Sequence, residues 1–366
     1  MKISVSREVL LPALQAAGNV VDRRQSMQIL GNFLLSAKGD ELSVTASDLE
    51  VEVAISCRAE IGREGSATLP AKKLLDICRS LAPDSILQID VSGGKGKVQS
   101  GRSRFSLGVL PSEDFPTVEG FTALTELEVD SHVLTDLISS TQFAMAHQDV
   151  RYYLNGLLLE LSTSSIRSVA TDGHRLALCD RDLPTGLTGP VQVIVPRKAV
   201  QEIQRMLGHH EGLVKVILGE NHISVQSTGQ LLIAKLVDGK FPDYQRVIPK
   251  QGEKIVVANR EAVKAAFSRT SILSNEKFRG VRLVLSKDLL RAMTNNPEQE
   301  EAEEDIEVEY DGADLEIGFN VSYLLDVLSV LKSASVRVEL SDANSSSVIY
   351  ATDDERAKYV IMPMRL

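Results

Sequence analysis

The chain has 366 residues, 43% of them hydrophobic and 25% charged, with a net charge of -10 at neutral pH, and this length and composition predict a globular protein of two or three domains. Its apolar runs are too short for a membrane-spanning helix and its first residues lack the apolar core of a secretion signal, so we expect a cytoplasmic protein without membrane partners. The acidic excess argues against a surface that grips nucleic acid everywhere, although it permits a local basic lining.

One pattern occurs three times along the chain. Each copy opens with a helix whose apolar residues recur at helical spacing. These helices are predicted at 7–18, 131–142 and 260–271. Alternating strands then lead into a short polar turn, whose Asp, Asn and Gly residues suit a tight bend. The turns are predicted at 45–50, 170–175 and 293–298.

A second helix and a closing landmark complete each copy. The second helices are predicted at 69–81, 195–207 and 319–331. Each copy ends with an aromatic residue or Met before proline, in Phe115-Pro116, Phe241-Pro242 and Met362-Pro363. The recurrence predicts three α+β domains with antiparallel sheets and helices on one face, at 1–122, 123–248 and 249–366.

Particular segments of the first and third copies carry charges of opposite sign. Basic residues occur in the first copy at Lys72, Lys73, Arg102 and Arg104, whereas an acidic run extends from Glu298 in the third. Repeated domains in head-to-tail contact either grow into a fibre or close into a ring. Complementary ends suit a head-to-tail dimer, since they fix the register of the contact. Composition alone leaves open that both are solvated faces, but the repeat favours the ring.

Several long stretches together resemble the bacterial sliding clamp family, the β subunit of DNA polymerase III. They are SGRSRFSL at 100–107, AHQDVRYYLNG at 146–156, ATDGHRLA at 170–177, IVPRK at 194–198, LVDGKFPDY at 236–244, ILSNEKFRGVRL at 272–283, NNPEQEEAEE at 295–304 and the terminal MPMRL. The resemblance covers the chain end to end and departs from the family pattern only in loops such as 91–97 and 341–356.

The resemblance implies the DNA clamp fold: two chains closed head to tail into a ring, with helices lining a positive channel and antiparallel sheets outside. It implies a DNA polymerase processivity factor that slides on duplex DNA without reading its sequence, has no catalysis of its own and needs no cofactor. The implied partners are duplex DNA, a second copy of the chain, the replicative polymerase catalytic subunit, the clamp loader, translesion polymerases, mismatch-repair proteins and ligase.

Three sets of residues follow from the resemblance. The DNA-facing set is Arg24, Gln148, Tyr152, Tyr153 and Lys198, with Arg197 as a neighbour. The walls of a hydrophobic cleft for partner peptides are Leu154, Thr171, Gly173, His174, Arg175, Leu176, Pro242, Arg246, Val247, Phe278, Asn320, Tyr323, Ser346, Val360, Ile361, Met362, Pro363, Met364 and Arg365. The dimer seam is Lys73, Arg102, Arg104, Phe105, Leu107, Ile272, Leu273, Glu298, Glu300, Glu301, Glu303 and Glu304.

Each set has a plainer alternative. A sliding tether should touch phosphates without reading bases, yet an isolated basic residue is often only a solvated one. The tyrosine pair could belong to the core, although tyrosine can also stack on exposed bases. The terminal strand could be core as well, but Met suits a surface that accepts several partners because its side chain repacks easily.

A hydrolase with Asp172 and His174 at its centre is the alternative function. A metal site needs three or more ligands, and a general base needs a positioned partner. Asp172 instead lies in a repeated turn, with Asp48 and Asn295 as its predicted counterparts, which favours a backbone role. Phosphate-loop and serine-hydrolase motifs are missing from the sequence. A sequence-specific regulator would need a basic recognition helix, which the sequence also lacks.

Overall fold

The computed structural model describes residues 1–21, 27–118, 120–208, 210–250 and 252–365. Its helices are α1 (Arg7–Gly18), α2 (Ala71–Ser80), α3 (Ser131–Thr141), α4 (Arg197–Leu207), α5 (Arg260–Thr270) and α6 (Val321–Val330). Short 3-10 helices lie at Gln28–Gly31, Ser112–Asp114, Gln142–Ala144, Tyr152–Leu154, Tyr244–Val247 and Ser271–Leu273. No helix in these ranges is long and apolar enough to cross a membrane.

The strands make up most of the remaining chain. They are β1 (Lys2–Ser6), β2 (Asn32–Lys38), β3 (Glu41–Ser47), β4 (Val51–Arg58), β5 (Glu60–Arg63), β6 (Gly65–Pro70), β7 (Ile86–Ser92), β8 (Lys95–Ser100), β9 (Ser103–Gly108), β10 (Ala123–Asp130), β11 (Gly156–Leu161), β12 (Ser165–Thr171), β13 (Arg175–Asp182), β14 (Val191–Pro196), β15 (Leu213–Gly219), β16 (His222–Ser227), β17 (Gln230–Lys235), β18 (Lys254–Asn259), β19 (Gly280–Ser286), β20 (Leu289–Asn295), β21 (Glu301–Glu307), β22 (Leu315–Asn320), β23 (Ser335–Leu340), β24 (Ser347–Ala351) and β25 (Ala357–Ile361).

The predicted helices form where the periodicity places them, two in each copy. Several of them begin at a side-chain cap: Ser6 accepts a hydrogen bond from the backbone N of Val9, and Asn259 accepts one from Ala262. Such caps satisfy backbone donors that a helix start leaves without partners. On α1 the side chains of Leu10 and Leu14 are fully buried, as the apolar face of an amphipathic helix requires.

The chain folds into two compact units. Unit 1 comprises Met1–His132 and Lys198–Leu236, and unit 2 comprises Val133–Arg197 and Val237–Leu366. Each contains an eight-stranded antiparallel sheet, ordered β10-β15-β16-β17-β4-β3-β2-β6 in unit 1 and β14-β11-β12-β13-β25-β24-β23-β18 in unit 2. Both sheets therefore join strands of two sequence copies, through β17 with β4 and through β25 with β13. The sequence limits of the three copies, at 122 and 248, stay a prediction.

Two smaller antiparallel sheets complete the fold. The order β5-β1-β7-β8-β9 occurs in unit 1, and the order β21-β20-β19-β22 occurs in unit 2. Strand β9 of the first copy and strand β21 of the third therefore lie at sheet edges. Edge strands present unpaired backbone groups that can pair with another chain.

Candidate functional site

A groove of about 170 Å³ opens on unit 2. Its walls come from the turn between β12 and β13, the end of β25, and the 3-10 helices at Tyr152–Leu154 and Tyr244–Val247. The lining residues are Arg151, Tyr153, Leu154, Thr171, Gly173, Arg175, Leu176, Pro242, Asp243, Tyr244, Val247, Val360 and Met362. The structure thus gathers one part of the cleft predicted from the sequence around a single opening.

The floor of the groove is apolar. Leu176 and Val360 face each other across β13 and β25, and both are almost fully buried. They belong to a buried cluster that includes Phe241 and Tyr244, next to the aromatic-proline landmark of the second copy. A concave apolar floor with a few polar groups at its rim is the usual form of a ligand site.

Arg175 fixes one wall of the groove. Its Nε lies 3.0 Å from Asp172, its Nη1 lies 2.5 Å from Asp326, and its Nη2 donates to the carbonyl oxygen of Phe143 at 2.7 Å. The guanidinium also lies over the ring of Tyr323, 4.4 Å from the ring centre. Such a fork of fixed donors holds the side chain in one orientation, because each hydrogen bond constrains the planar group.

The Asp172 carboxylate has a backbone role. It accepts hydrogen bonds from the backbone nitrogens of His174 and Arg175, at 2.9 and 3.0 Å. Asp48 makes the same contacts in the first copy, with Glu50 and Val51. In the third copy the capping residue is Asn296, which accepts from the backbone N of Glu300. The prediction of Asn295 as this counterpart was therefore wrong by one position, because Asn295 is the last residue of β20.

Gly173 lets this turn approach Arg151. Its φ of 91° lies in the left-handed region, and an added Cβ would stand 2.9 Å from Nη1 of Arg151. The guanidinium of Arg151 is held by the carboxylate of Asp149 at 2.9 Å, and this carboxylate has a pKa lowered to about 2 by its hydrogen bonds with Arg151. A larger residue at position 173 would disturb the groove wall.

The C-terminal segment is hydrogen-bonded at two points. The backbone N of Met362 donates to the carbonyl oxygen of His174 at 3.0 Å, and that of Met364 donates to Gly318 at 2.8 Å. Met362 keeps 38% of its surface exposed at the groove. Ile361 is fully buried in the isolated chain and is absent from the groove lining, so its predicted place on the cleft wall stays a prediction.

The other predicted cleft residues lie outside the groove lining. They are His174, Arg246, Phe278, Asn320, Tyr323, Ser346, Pro363, Met364 and Arg365. Some act on it indirectly: Tyr323 backs Arg175, Arg246 pairs with Asp243 at 2.7 Å, and Asn320 caps α6. Phe278 is 56% exposed, with the ammonium of Lys277 over its ring.

Sequence reasoning missed three lining residues, Arg151, Asp243 and Tyr244. The structure also places Tyr153, predicted to face DNA, on the groove. The position of Tyr244, two residues after the Phe241-Pro242 landmark, could have indicated that it lies near the groove. The hydrogen bonds of its hydroxyl with Arg167 and Glu160 could not have been predicted, because they join distant segments of the chain.

In unit 1 an acidic residue, Glu52, occupies the position that Leu176 has on the groove floor of unit 2. The register that sets Leu176 opposite Thr171 sets Glu52 opposite Ser47. Glu52 is 7% exposed, and its carboxylate accepts a hydrogen bond from the backbone N of Val118 at 2.9 Å. Burial raises the pKa of this carboxyl. A buried acid tied to the neighbouring loop thus replaces the apolar floor residue.

The DNA-facing set is described only in part. Arg24 lies outside the described residues. Gln148 is exposed with a φ of 56°, and Tyr152 is 58% exposed. Lys198 is partly buried, with its ammonium paired with the Asp48 carboxylate and donating to the carbonyl oxygen of Val20 at 3.0 Å. Its charge is therefore partly neutralised within unit 1.

The residues predicted for a dimer seam differ in exposure. Ile272 is 75% exposed, while Phe105 and Leu273 are half-buried. Leu107 is only 8% exposed, and its predicted place at a seam stays a prediction. The basic members, Lys73, Arg102 and Arg104, are exposed.

The acidic residues predicted for the seam lie on and just before β21. Glu298, Glu300, Glu301 and Glu303 are exposed. Glu304 is engaged within its own unit, because Arg269 donates to its carboxylate at 2.5 Å. Among the described residues, no group of three or more His, Cys, Asp or Glu side chains could hold a metal ion.

Three repeated α+β domains, an apolar groove on unit 2, and aspartates that cap turns in the first two copies define a class: a multidomain protein with a ligand groove. Comparisons with known proteins identify the family. Three domain models of the DNA polymerase III beta subunit match this chain: the N-terminal domain model at residues 1–119, the central domain model at 128–243 and the C-terminal domain model at 245–365. The beta sliding clamps of Pseudomonas putida and Escherichia coli K12 are 51% and 48% identical over the full length of both chains.

Solved structures agree. The DNA polymerase III subunit beta of Pseudomonas aeruginosa matches with a TM-score of 0.96 and 51% identity over all of both chains, as does a sliding clamp from that organism bound to griselimycin. The chain belongs to the DNA polymerase III beta subunit family, the beta sliding clamps. The predicted family, the fold of three clamp domains, and the function as a non-catalytic processivity factor of the replicative polymerase are confirmed.

Proposed function

We propose that two copies of this chain close head to tail into a ring around duplex DNA, and that the groove on unit 2 holds peptide segments of its partners. The proposed partners are the polymerase catalytic subunit, the clamp loader, translesion polymerases, mismatch-repair proteins and ligase, all in the cytoplasm. The apolar floor of the groove is the observation that carries the docking role. The unpaired edges of β9 and β21 support the ring.

The strand pairings that join sequence copies within the chain serve as a template for the pairing between two chains. In unit 1, β4 of the first copy pairs with β17 of the second, and in unit 2, β13 of the second pairs with β25 of the third. The corresponding strand of the third copy is β21, and that of the first is β9. We therefore expect β21 to pair, antiparallel, with β9 of a second chain.

The template also gives a register for this joint. Within the chain, Leu176 faces Val360, and the repeat places Glu301 where Leu176 lies and Ser106 where Val360 lies. Two residues further along, Glu303 would face the partner's Arg104. Opposite charges directly across an antiparallel pair stabilise it, and like charges destabilise it.

A charge exchange tests the ring at this contact. Arg104→Glu and Glu303→Arg should each weaken the dimer in sedimentation equilibrium, and the double variant should regain most of the lost affinity. Arg63→Glu is the matched control, since Arg63 lies on β5 at the other edge of the same sheet and should leave the dimer intact. A double variant as weak as the singles would refute the register.

Topological linkage to DNA is tested separately. The protein is loaded on nicked circular DNA by a clamp loader and ATP, and its retention is measured before and after the circle is cut once. A ring should slide off the linear product. Retention on linear DNA would instead show direct affinity and would contradict the ring.

Peptide binding is tested at the exposed part of the groove wall. Val247 lines the groove and is 40% exposed, so Val247→Asp should leave the fold intact while placing a charge beside the apolar floor. The readout is fluorescence anisotropy of a labelled peptide from the polymerase catalytic subunit, with griselimycin as competitor because a relative binds it. Val150→Asp, at a 96% exposed residue outside the lining, is the control. Equal binding by both variants would refute the site.

Contacts with DNA are proposed for Arg24, Gln148, Tyr152, Tyr153 and Lys198. Exposure supports Gln148 and Tyr152, while the position of Tyr153 on the groove gives it a second role. Lys198→Met should lower the loading rate and reduce the salt dependence of loading, because one phosphate contact is lost. Unchanged loading at low salt would remove Lys198 from the set.

A further inference from the structure

The ammonium of Lys198 is balanced within its own chain. It pairs with the carboxylate of Asp48 and donates to the carbonyl oxygen of Val20 at 3.0 Å. An ammonium has three donors, so one stays free. The side chain is 34% exposed, so this donor can reach a ligand while the charge behind it is neutralised.

The Asp48 carboxylate is fixed in its place. Its side chain is only 8% exposed, and its Oδ1 accepts hydrogen bonds from the backbone nitrogens of Glu50 and Val51 at 2.9 and 2.7 Å. Its Oδ2 is the atom that faces Lys198. Because the first oxygen anchors the group to the turn, the second cannot move away when an anion approaches Lys198. A phosphate therefore competes with a permanent internal anion for the same ammonium.

The repeat shows that the turn itself does not need this charge. In the third copy an uncharged residue, Asn296, caps the corresponding turn by accepting from the backbone N of Glu300 at 2.9 Å. In the second copy the aspartate is again matched with a basic partner, since Oδ2 of Asp172 accepts from Nε of Arg175 at 3.0 Å. An aspartate thus occurs in the two turns that face a cation, which assigns the charge of Asp48 to Lys198.

A counterpart of Lys198 on α2 has no such anion. Lys72 is the second residue of α2, as Lys198 is of α4. It is exposed, and it makes no ion pair with any residue that the structure describes. The same position of the repeat therefore carries a free charge in the first copy and a neutralised charge in the second.

We propose that Asp48 is a positioning residue that weakens the hold of Lys198 on phosphate, so that the ring moves along DNA with less resistance. This role rests on the contact of Lys198 with DNA proposed above. Each cation that neutralises a phosphate releases counterions and adds about 0.9 to the slope of the logarithm of affinity against the logarithm of salt concentration. With Asp48 beside it, Lys198 keeps a hydrogen-bond donor for phosphate but contributes only part of that slope.

The test follows fluorescently labelled full-length rings, loaded by a clamp loader and ATP on a long nicked DNA that is held at both ends, and measures their diffusion coefficient along it. Asp48→Asn keeps an oxygen for the turn and removes the charge. It should diffuse more slowly than the unmodified protein at low salt. Between about 50 and about 200 mM salt the difference should shrink by up to about 3.5-fold for each chain, the limit set by one full phosphate contact.

Two further variants make the result specific. Asp130→Asn removes the same charge from an exposed capping residue, which accepts from the backbone N of His132 at 2.8 Å, and should diffuse like the unmodified protein. Asp48→Asn combined with Lys198→Met should diffuse no more slowly than Lys198→Met alone, because the cation through which Asp48 acts is gone. A slowing that persists in this background would overturn the proposal.

The loading assay separates the role of Asp48 from the contact on which it rests. If Lys198→Met lowers the salt dependence of loading but Asp48→Asn diffuses like the unmodified protein, only the role of Asp48 is refuted. If neither variant has an effect, Lys198 does not contact DNA and both are refuted. Thermal melting shows whether Asp48→Asn folds; if it does not, Asp48→Ser, which also keeps an oxygen for the turn, replaces it in every comparison.

Discussion

Replacing Ile272 with alanine should weaken the proposed ring by a large, calculable factor. The side chain is 75% exposed in the isolated chain, although it is a large aliphatic residue. Ile272→Ala removes three carbon groups, each worth about 0.8 kcal/mol when buried. Scaled by the exposed fraction that a partner can cover, the loss is about 1.8 kcal/mol at one seam.

Because a head-to-tail ring of two chains has two identical seams, the substitution acts twice. The dimer should lose about 3.6 kcal/mol, which is a roughly 400-fold rise in its dissociation constant. Sedimentation equilibrium over a wide concentration range measures this directly. The matched control is Val150→Ala, which removes aliphatic surface from a residue that is 96% exposed and outside the proposed seam.

The two variants should differ in their effect on the dimer. Val150→Ala should leave the dissociation constant within twofold of the original. If Ile272→Ala does the same, Ile272 is not buried between copies and the seam lies elsewhere. If both weaken the dimer equally, the effect is not specific to the seam.

Three other predictions concern the groove and its counterpart. Deletion of Met362–Leu366 should abolish peptide binding in anisotropy titrations and leave the sedimentation of the dimer unchanged; loss of the dimer would make the segment structural. Arg175→Ala should cost about 2–4 kcal/mol in denaturant unfolding, because it leaves the largely buried Asp172 without its cation, while Arg175→Lys should cost less; equal costs would contradict the charge argument. Glu52 has a raised pKa in the folded state, so the stability from its protonated form is present below its ordinary pKa of 4.5 and is lost as pH rises. Glu52→Gln should therefore reduce the fall in melting temperature between pH 4.5 and 7, and an unchanged pH profile would contradict the assignment.

The pattern of apolar residues was sufficient to predict the helices and the threefold repeat. Periodicity is a local property, and each helix is short enough for its own sequence to define its ends. Asn259 and Ser6 show this well, because a cap requires only residues within one helical turn. The family motifs added the site sets, which no local pattern could have supplied.

Only the tertiary structure decided which strands meet. The pairing of β13 with β25 brings Leu176 beside Val360, and together with the anchored Tyr244 it creates the groove. Strand pairing over such distances depends on the whole packed sheet, so the sequence could not place Tyr153 on the groove. The same limit applies to Lys198, whose charge is shared with an aspartate in a distant turn.

The sequence by itself thus determined the repeat, the helices, the turns and the family, because these depend on neighbouring residues or on long family-specific motifs. The tertiary structure alone decided that both large sheets join two copies and that one joint has an apolar floor where the other has Glu52. The physical reason is that a single position in the repeat, filled by leucine in one joint and by a buried carboxylate in the other, changes what the surface above it can bind.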